Sequence, residues 1–116
     1  MPGDRAVATL AAGFRVLLGN RKSQAAQMTI QPGDHEGGPD NRHVGADQWL
    51  FVVEGSGVAL LDGKRRRLSP HVLLLIEAGR THEILNTGDV PLRTLNVYVP
   101  PAYTTDGDPL PRGRKR

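Results

Sequence analysis

Glycine and proline punctuate this chain at short intervals, and that punctuation decides its fold class. With 14 glycines and nine prolines among 116 residues, the stretches between them are short apolar runs that lack strong helix formers in periodic array. The runs are Phe14 to Leu18, Ala25 to Gln31, Gln48 to Glu54, Gly57 to Asp62, Arg65 to Leu68, Val72 to Ile76, His82 to Asn86 and Leu92 to Val99. Strands of this length and number predict an all-β domain, a single antiparallel β-barrel or jelly roll. The turns agree. Glu54-Gly55-Ser56-Gly57, Asp62-Gly63 and Thr87-Gly88-Asp89 each place glycine where a tight hairpin needs positive φ.

A chain of this length buries roughly two-thirds of its unfolded surface, enough for one core without a disulfide or a structural metal. It has no cysteine. Thiolate nucleophiles, zinc ribbons and iron–sulfur clusters are thereby excluded, so any metal site must use nitrogen and oxygen ligands. The apolar run from Ala6 to Ala12 is too short to span a membrane, and Asp4 sits where a secretory signal would be basic. These features predict a cytoplasmic protein.

The formal charge of +3 is a property of the C-terminus. Arg112, Arg114, Lys115 and Arg116 are four of the 15 cations; the remaining 11 face 12 acids. The sequence thus divides into a flexible N-terminal segment over 1–13, the barrel over 14–103, and a disordered basic tail over 104–116. A second basic run, Lys64 to Arg67, follows the Asp62-Gly63 hairpin signal and reads as a solvated hairpin arm. A nucleic-acid contact through these two runs is the weakest reading, because one Trp, two Tyr and two Phe offer little stacking surface.

Two strands, Trp49 to Val53 and Val72 to Ile76, are apolar at consecutive positions, which requires cover on both faces. A homodimer supplies that cover economically; a packed N-terminal strand is the alternative. The polar connection from Pro32 to Arg42 ends at His43, and a long flexible loop at a barrel mouth is a common seat of function. His35 and His71, in that loop and in a turn after Pro70, read as surface residues. Asp34, Glu36 and Asp40 read as solvated loop charges.

Chemistry concentrates in two short constellations. His43 is followed after four intervening residues by Gln48 and after six more by Gly55, and Gly79-Arg80-Thr81-His82 is followed by Asn86. If the strands carrying them face each other inside a barrel, His43, Gln48 and His82 converge, offering two imidazole nitrogens and a neutral amide oxygen. A neutral set leaves more positive charge on a bound metal than a carboxylate would, favouring Lewis-acid contact with an anionic or hydroxylated ligand. Glu83, next to His82, is expected on the opposite face by strand alternation.

At these residues the chain resembles the cupin superfamily of small β-barrels. His43 fits the second histidine of the first cupin motif, Gln48 stands at its glutamate position and Gly55 closes it. Glu77-Ala78-Gly79, His82 and Asn86 reproduce the second motif with Glu77 replacing proline, and Asn41 stands where the first histidine would be. Asp47-Gln48 and the segment Leu95 to Pro101 are similar to a single-domain subgroup related to mannose-6-phosphate isomerase. The resemblance implies a divalent metal (manganese, iron, nickel, zinc or copper) held by His43, Gln48 and His82, with Asn41 as a fourth ligand. It implies a small polar ligand such as a sugar or sugar phosphate, and either isomerase-like or oxygenase-like catalysis or a metal-free binding or sensing role. No general base is evident on the interior.

Overall fold

A computed structural model describes residues 3–38 and 45–110. The described residues form nine strands: β1 (Gly13–Gly19), β2 (Gln24–Ile30), β3 (His35–Gly37), β4 (Asp47–Glu54), β5 (Gly57–Leu61), β6 (Lys64–Leu68), β7 (Leu73–Ile76), β8 (His82–Leu85) and β9 (Leu92–Val99). They pair antiparallel in two sheets, β1-β2-β9-β4-β7 and β3-β8-β5-β6. Eight of the nine fall on the runs expected from the sequence. β3 lies in the stretch expected to be a flexible loop: three residues that pair with Glu83, Ile84 and Leu85.

Period-two alternation builds the core. On β9, Leu92, Thr94, Asn96 and Tyr98 are buried while the residues between them are more open. Cross-strand pairing carries the inward row to Ala26 and Met28 on β2 and to Gln48, Leu50 and Val52 on β4. The second sheet answers with Ala59, Leu61, Leu68 and Ile84, and these pack with Met28, Ile30, Leu50, Val52, Ile76 and Leu92 in one apolar cluster. A smaller cluster of Ala26, Ala46, Tyr98 and Ala102, joined by Phe14 and Tyr103, closes the other end of the row.

The motif residues that are not candidate ligands have structural roles. The buried Asn86 donates from Nδ2 to the Ile30 and Val90 carbonyls (2.8 and 2.9 Å), and its Oδ1 accepts the Gly88 amide (2.9 Å). It thereby ties the end of β8 to the end of β2 and shapes the turn between β8 and β9. Gly55 has φ +90°, and a Cβ there would lie 2.4 Å from the Pro91 carbonyl oxygen. Asp62 (φ 50°) and Gly63 (φ 80°) make the two-residue turn expected between β5 and β6.

Two segments outside the expected barrel take part in it. Gln27 and Thr29 point away from the interior, yet both are buried, because residues 9–10 lie over them. The Leu10 amide donates to Gln27 Oε1 (3.2 Å), Gln27 Nε2 to Thr9 Oγ1 (3.1 Å), and Thr29 Oγ1 to the Leu10 carbonyl (3.2 Å), which also accepts from Arg93. Residues 104–110 fold back as a turn: Thr104 N bonds the Asp108 carbonyl, Leu110 N bonds the Ala102 carbonyl, and Tyr103 bridges to Pro109. Of the expected basic tail, residues 111–116 lie outside the described residues.

Among the described residues the outer face of the doubly apolar strands is only partly covered, with Phe51, Val53 and Leu75 half-buried. Trp49 (41% exposed), Leu73 (60%), Val97 and Val99 stand on the outer face of the five-stranded sheet. The N-terminal residues 9–10 lie over β2 instead.

Candidate metal and ligand site at the mouth of the barrel

Gln48 and His82 are brought to the same end of the interior by their registers. Gln48 pairs with Tyr98 and Ile76, all on the inward row. His82 pairs with Leu61, opposite the Asn86 clamp that marks the far end of β8. Both side chains are buried, at 3% and 6% exposure. His43 and Asn41, the other two expected ligands, lie outside the described residues. Among the described residues there is no group of three His, Asp or Glu that could hold a metal by themselves.

Two carboxylates outside the core fix the approach to His82. Asp47 Oδ1 accepts the Ala78 amide (2.8 Å), joining the start of β4 to the turn before β8. Asp62 accepts from Arg80 Nε (3.0 Å), Thr81 N (2.9 Å) and Thr81 Oγ1 (3.1 Å). The Arg80 guanidinium, and after it the Thr81 amide and hydroxyl, hold the exposed Asp62 carboxyl below its ordinary range. The residue preceding the imidazole is thereby anchored to a hairpin on the neighbouring strand. A cleft of about 420 Å³ between Gly38, Leu60, Asp62, Thr81 and Glu83 reaches His82 from outside.

The amide of Gln48 is oriented by its neighbours. Its Nε2 donates to Asn96 Oδ1 (2.9 Å), Asn96 Nδ2 donates to Thr94 Oγ1 (3.0 Å), and Thr94 Oγ1 donates to the Met28 carbonyl (3.4 Å). With its nitrogen committed, Gln48 presents Oε1. That oxygen is buried and accepts no hydrogen bond among the described residues, an expensive arrangement for a carbonyl unless something else occupies the lone pair.

Three further residues complete the mouth. Gln24 binds the Tyr103 backbone on both sides, Nε2 to its carbonyl (2.7 Å) and Oε1 from its amide (3.1 Å). This holds the Tyr103 ring 5.1 Å from that of Tyr98 and 4.7 Å from that of Phe14. Burial pushes the Tyr98 hydroxyl well above its ordinary range, with the hydrogen bond to Tyr103 and the charge of Glu36 adding to the effect. Burial likewise raises Tyr103, to about 12, against the opposing effect of the Tyr98 hydrogen bond.

Glu36 is exposed but differs from the solvated loop charge expected of it. On β3 it pairs with Ile84, which places it on the inward row, and its charge is felt at both tyrosines. No apolar residue marks His35-Glu36-Gly37 as a strand, so the sequence carries no local signal for its placement. Glu83 lies on the opposite face, as expected, 3.2 Å from His35. His71 is exposed in a turn at φ 77° and stacks on Phe51.

Residues 26–98, which run from β2 to β9 and include Gln48 and His82, match the cupin domain family (Cupin_2). The chain belongs to the cupin family. Its curated relatives include the tetracenomycin polyketide synthase protein TcmJ of Streptomyces glaucescens, 32% identical over 68 residues, which are 59% of this cupin and 44% of TcmJ. The chain thus spans less than half the length of that relative. Among solved structures, this cupin is similar to BH2720 of Bacillus halodurans (28% identity, TM-score 0.75, covering 82% of this chain and 75% of that one). It is also similar to a predicted oxalate decarboxylase of Thermotoga maritima (26% identity, TM-score 0.68, covering 76% and 79%). Among the described residues no helix is long and apolar enough to cross a membrane.

Proposed function

We propose that this cupin holds a divalent metal ion at the barrel mouth through His43, Gln48 and His82, with Asn41 as a fourth ligand, and there binds or converts a small polar molecule such as a sugar or sugar phosphate. The observation carrying this reading is the Gln48 amide, whose nitrogen is fixed by Asn96 and whose buried oxygen accepts no hydrogen bond among the described residues. An amide carbonyl and an imidazole suit the borderline divalent ions that nitrogen and oxygen sites select.

When bound, the ion would polarise a carbonyl or hydroxyl of the ligand as a Lewis acid. The chain's own residues do the rest. The anchored turn at Asp62 and Asp47 fixes the His82 backbone, Asn96 orients Gln48, and the tyrosine pair walls the site with hydroxyls that stay protonated at neutral pH. Glu36, on the inward row above them, is a group able to accept a proton from the ligand. The predicted oxalate decarboxylase activity of the Thermotoga maritima neighbour fits the same class of oxygen-rich ligand.

A metal-free ligand-binding barrel is the second reading, favoured by the neutral amide and hydroxyl ladder of Gln24, Gln48, Asn96 and Thr94. Plasma mass spectrometry of tag-free protein purified without chelator separates the two. One metal ion per chain, lost in His82→Ala and Gln48→Leu but kept in His71→Ala, is the expected result; equal metal content in all four proteins would sink the site.

A second copy of the chain is the proposed occupant of the outer face carrying Trp49, Leu73 and Val97. Sedimentation should give a dimer for the natural chain and a monomer for Trp49→Asp. A natural chain that sediments as a monomer at high concentration would remove this proposal without touching the metal site.

A further inference from the structure

The basic run on β6 belongs to no part of the site just described, and the sheet splits it into two pairs. Arg67 pairs with Val58 and Arg65 with Leu60, so both arginines stand on the outer face of the four-stranded sheet. Lys64 and Arg66 pair with Leu61 and Ala59 and lie on the other face. Arg66 Nη1 is engaged with the Arg65 carbonyl at 2.9 Å.

Arg65 and Arg67 line a cleft of about 590 Å³ whose other walls are Ser56, Ser69 and Thr87 over a floor of Gly57, Val58 and Leu68. Its hydroxyls come from three separate connections, assembled by the tight packing at this end of the barrel. A Cβ on Gly88 would lie only 2.8 Å from Ser56 Oγ, so the turn carrying Thr87 sits directly against the turn carrying Ser56. Asn86 locks that turn through the Gly88 amide. Among the described residues no acidic side chain lines the cleft. Among the described residues neither guanidinium has a carboxylate partner; Glu83, on the same face two strands away, is engaged with His35.

Four cations on an edge strand would by themselves protect the edge from pairing with another chain. That role asks nothing of the neighbouring connections. Here two guanidinium forks and three hydroxyls converge on a concavity within the size range of small-ligand pockets, with an uncompensated charge of two. The fork geometry of arginine matches phosphate oxygens in pairs, and serine and threonine hydroxyls supply the remaining donors.

We propose that this cleft, at the opposite end of the barrel from His82, is a second site that binds the phosphate group of a small phosphate monoester. Arg65 and Arg67 grip the phosphate, and Ser56, Ser69 and Thr87 donate to its remaining oxygens. The inference is independent of the metal site, and its test separates the two.

The full chain is titrated with glycerol 3-phosphate, and with glycerol as control, while amide resonances are followed by NMR. The expected result is a saturable shift confined to residues around 56–58, 67–69 and 87–88, absent with glycerol. The double variant Arg65→Ala/Arg67→Ala should weaken binding by at least about tenfold, Arg67→Lys by less, and Arg66→Ala and His82→Ala by under about twofold. No saturable shift, or equal weakening by Arg66→Ala, would overturn the proposal. So would a single-stranded oligonucleotide that binds more tightly, with a steep salt dependence and shifts extending to Lys64 and Arg66, because the surface would then be a polyanion contact.

Discussion

The inward rows of β2, β4 and β9 change character half-way along the barrel. Toward the Asn86 clamp they read Met28, Ile30, Leu50, Val52 and Leu92, with Thr94 as the polar exception; toward the mouth the same rows carry Gln24, Gln48 and Tyr98, and Asn96, opposite Leu50 and Ala26, marks the change. Both ends are buried by the same strands in the same register, so burial alone does not explain the difference. The apolar end gains free energy from every methylene it removes from water. The mouth holds amides and hydroxyls that must first recover the hydrogen bonds lost from water, and one of them, Gln48 Oε1, does not do so among the described residues. A fold selected for stability alone would have continued the apolar row. What the contrast teaches is that the barrel has a structural end and, on the function proposed above, a chemical end.

That division predicts an ordering of effects. Leu50→Ala, at 0% exposure in the structural end, should cost about 2–5 kcal/mol in denaturant unfolding. A cost below about 1 kcal/mol would mean that the core is looser than its packing indicates.

Next comes alkaline stability, set by the mouth. Tyr103 titrates at about 12 in the folded chain against 10.0 for an ordinary tyrosine. The raised folded value means that its contribution is fully present below about pH 10 and is lost as pH rises toward about 12, a decline of roughly 2–3 kcal/mol. Because Tyr98 and Tyr103 are the two tyrosines of the chain, absorbance titration of the native protein should show no phenol ionising near pH 10. One normal phenol would mean that the aromatic cluster is open to solvent.

The smallest effect is expected at Gln48→Leu. It removes an unsatisfied carbonyl and also the donor to Asn96, so the stability change should stay within about 1 kcal/mol of zero even as metal retention is lost. A loss comparable to that of Leu50→Ala would make the chemical end structural after all.

The strands were legible in the sequence because glycine turns bracket period-two runs, and the inward placement of Gln48 and His82 follows from that alternation. β3 was hidden because His35-Glu36-Gly37 has no apolar residue, and only its pairing to β8 makes it a strand. Glu36 was lost with it. Gln27 and Thr29 look like solvent-facing residues on an alternating strand; their burial depends on residues 9–10, a contact across more than 15 positions that no local pattern encodes. Alternation divides the basic run into two pairs, but which pair faces outward was equally unreadable. It depends on which face of β5 each arginine joins, and that is a matter of register.

The placement of the aromatic residues has a practical consequence. The one tryptophan, Trp49, is on the outer face, while both tyrosines are packed at the mouth. Emission excited selectively from the indole therefore reports contact at the outer sheet face and is blind to the interior, whereas ultraviolet difference absorbance of the phenols reports occupancy of the mouth. The proposed self-association and the proposed ligand binding can thus be tested at separate wavelengths on the unmodified chain.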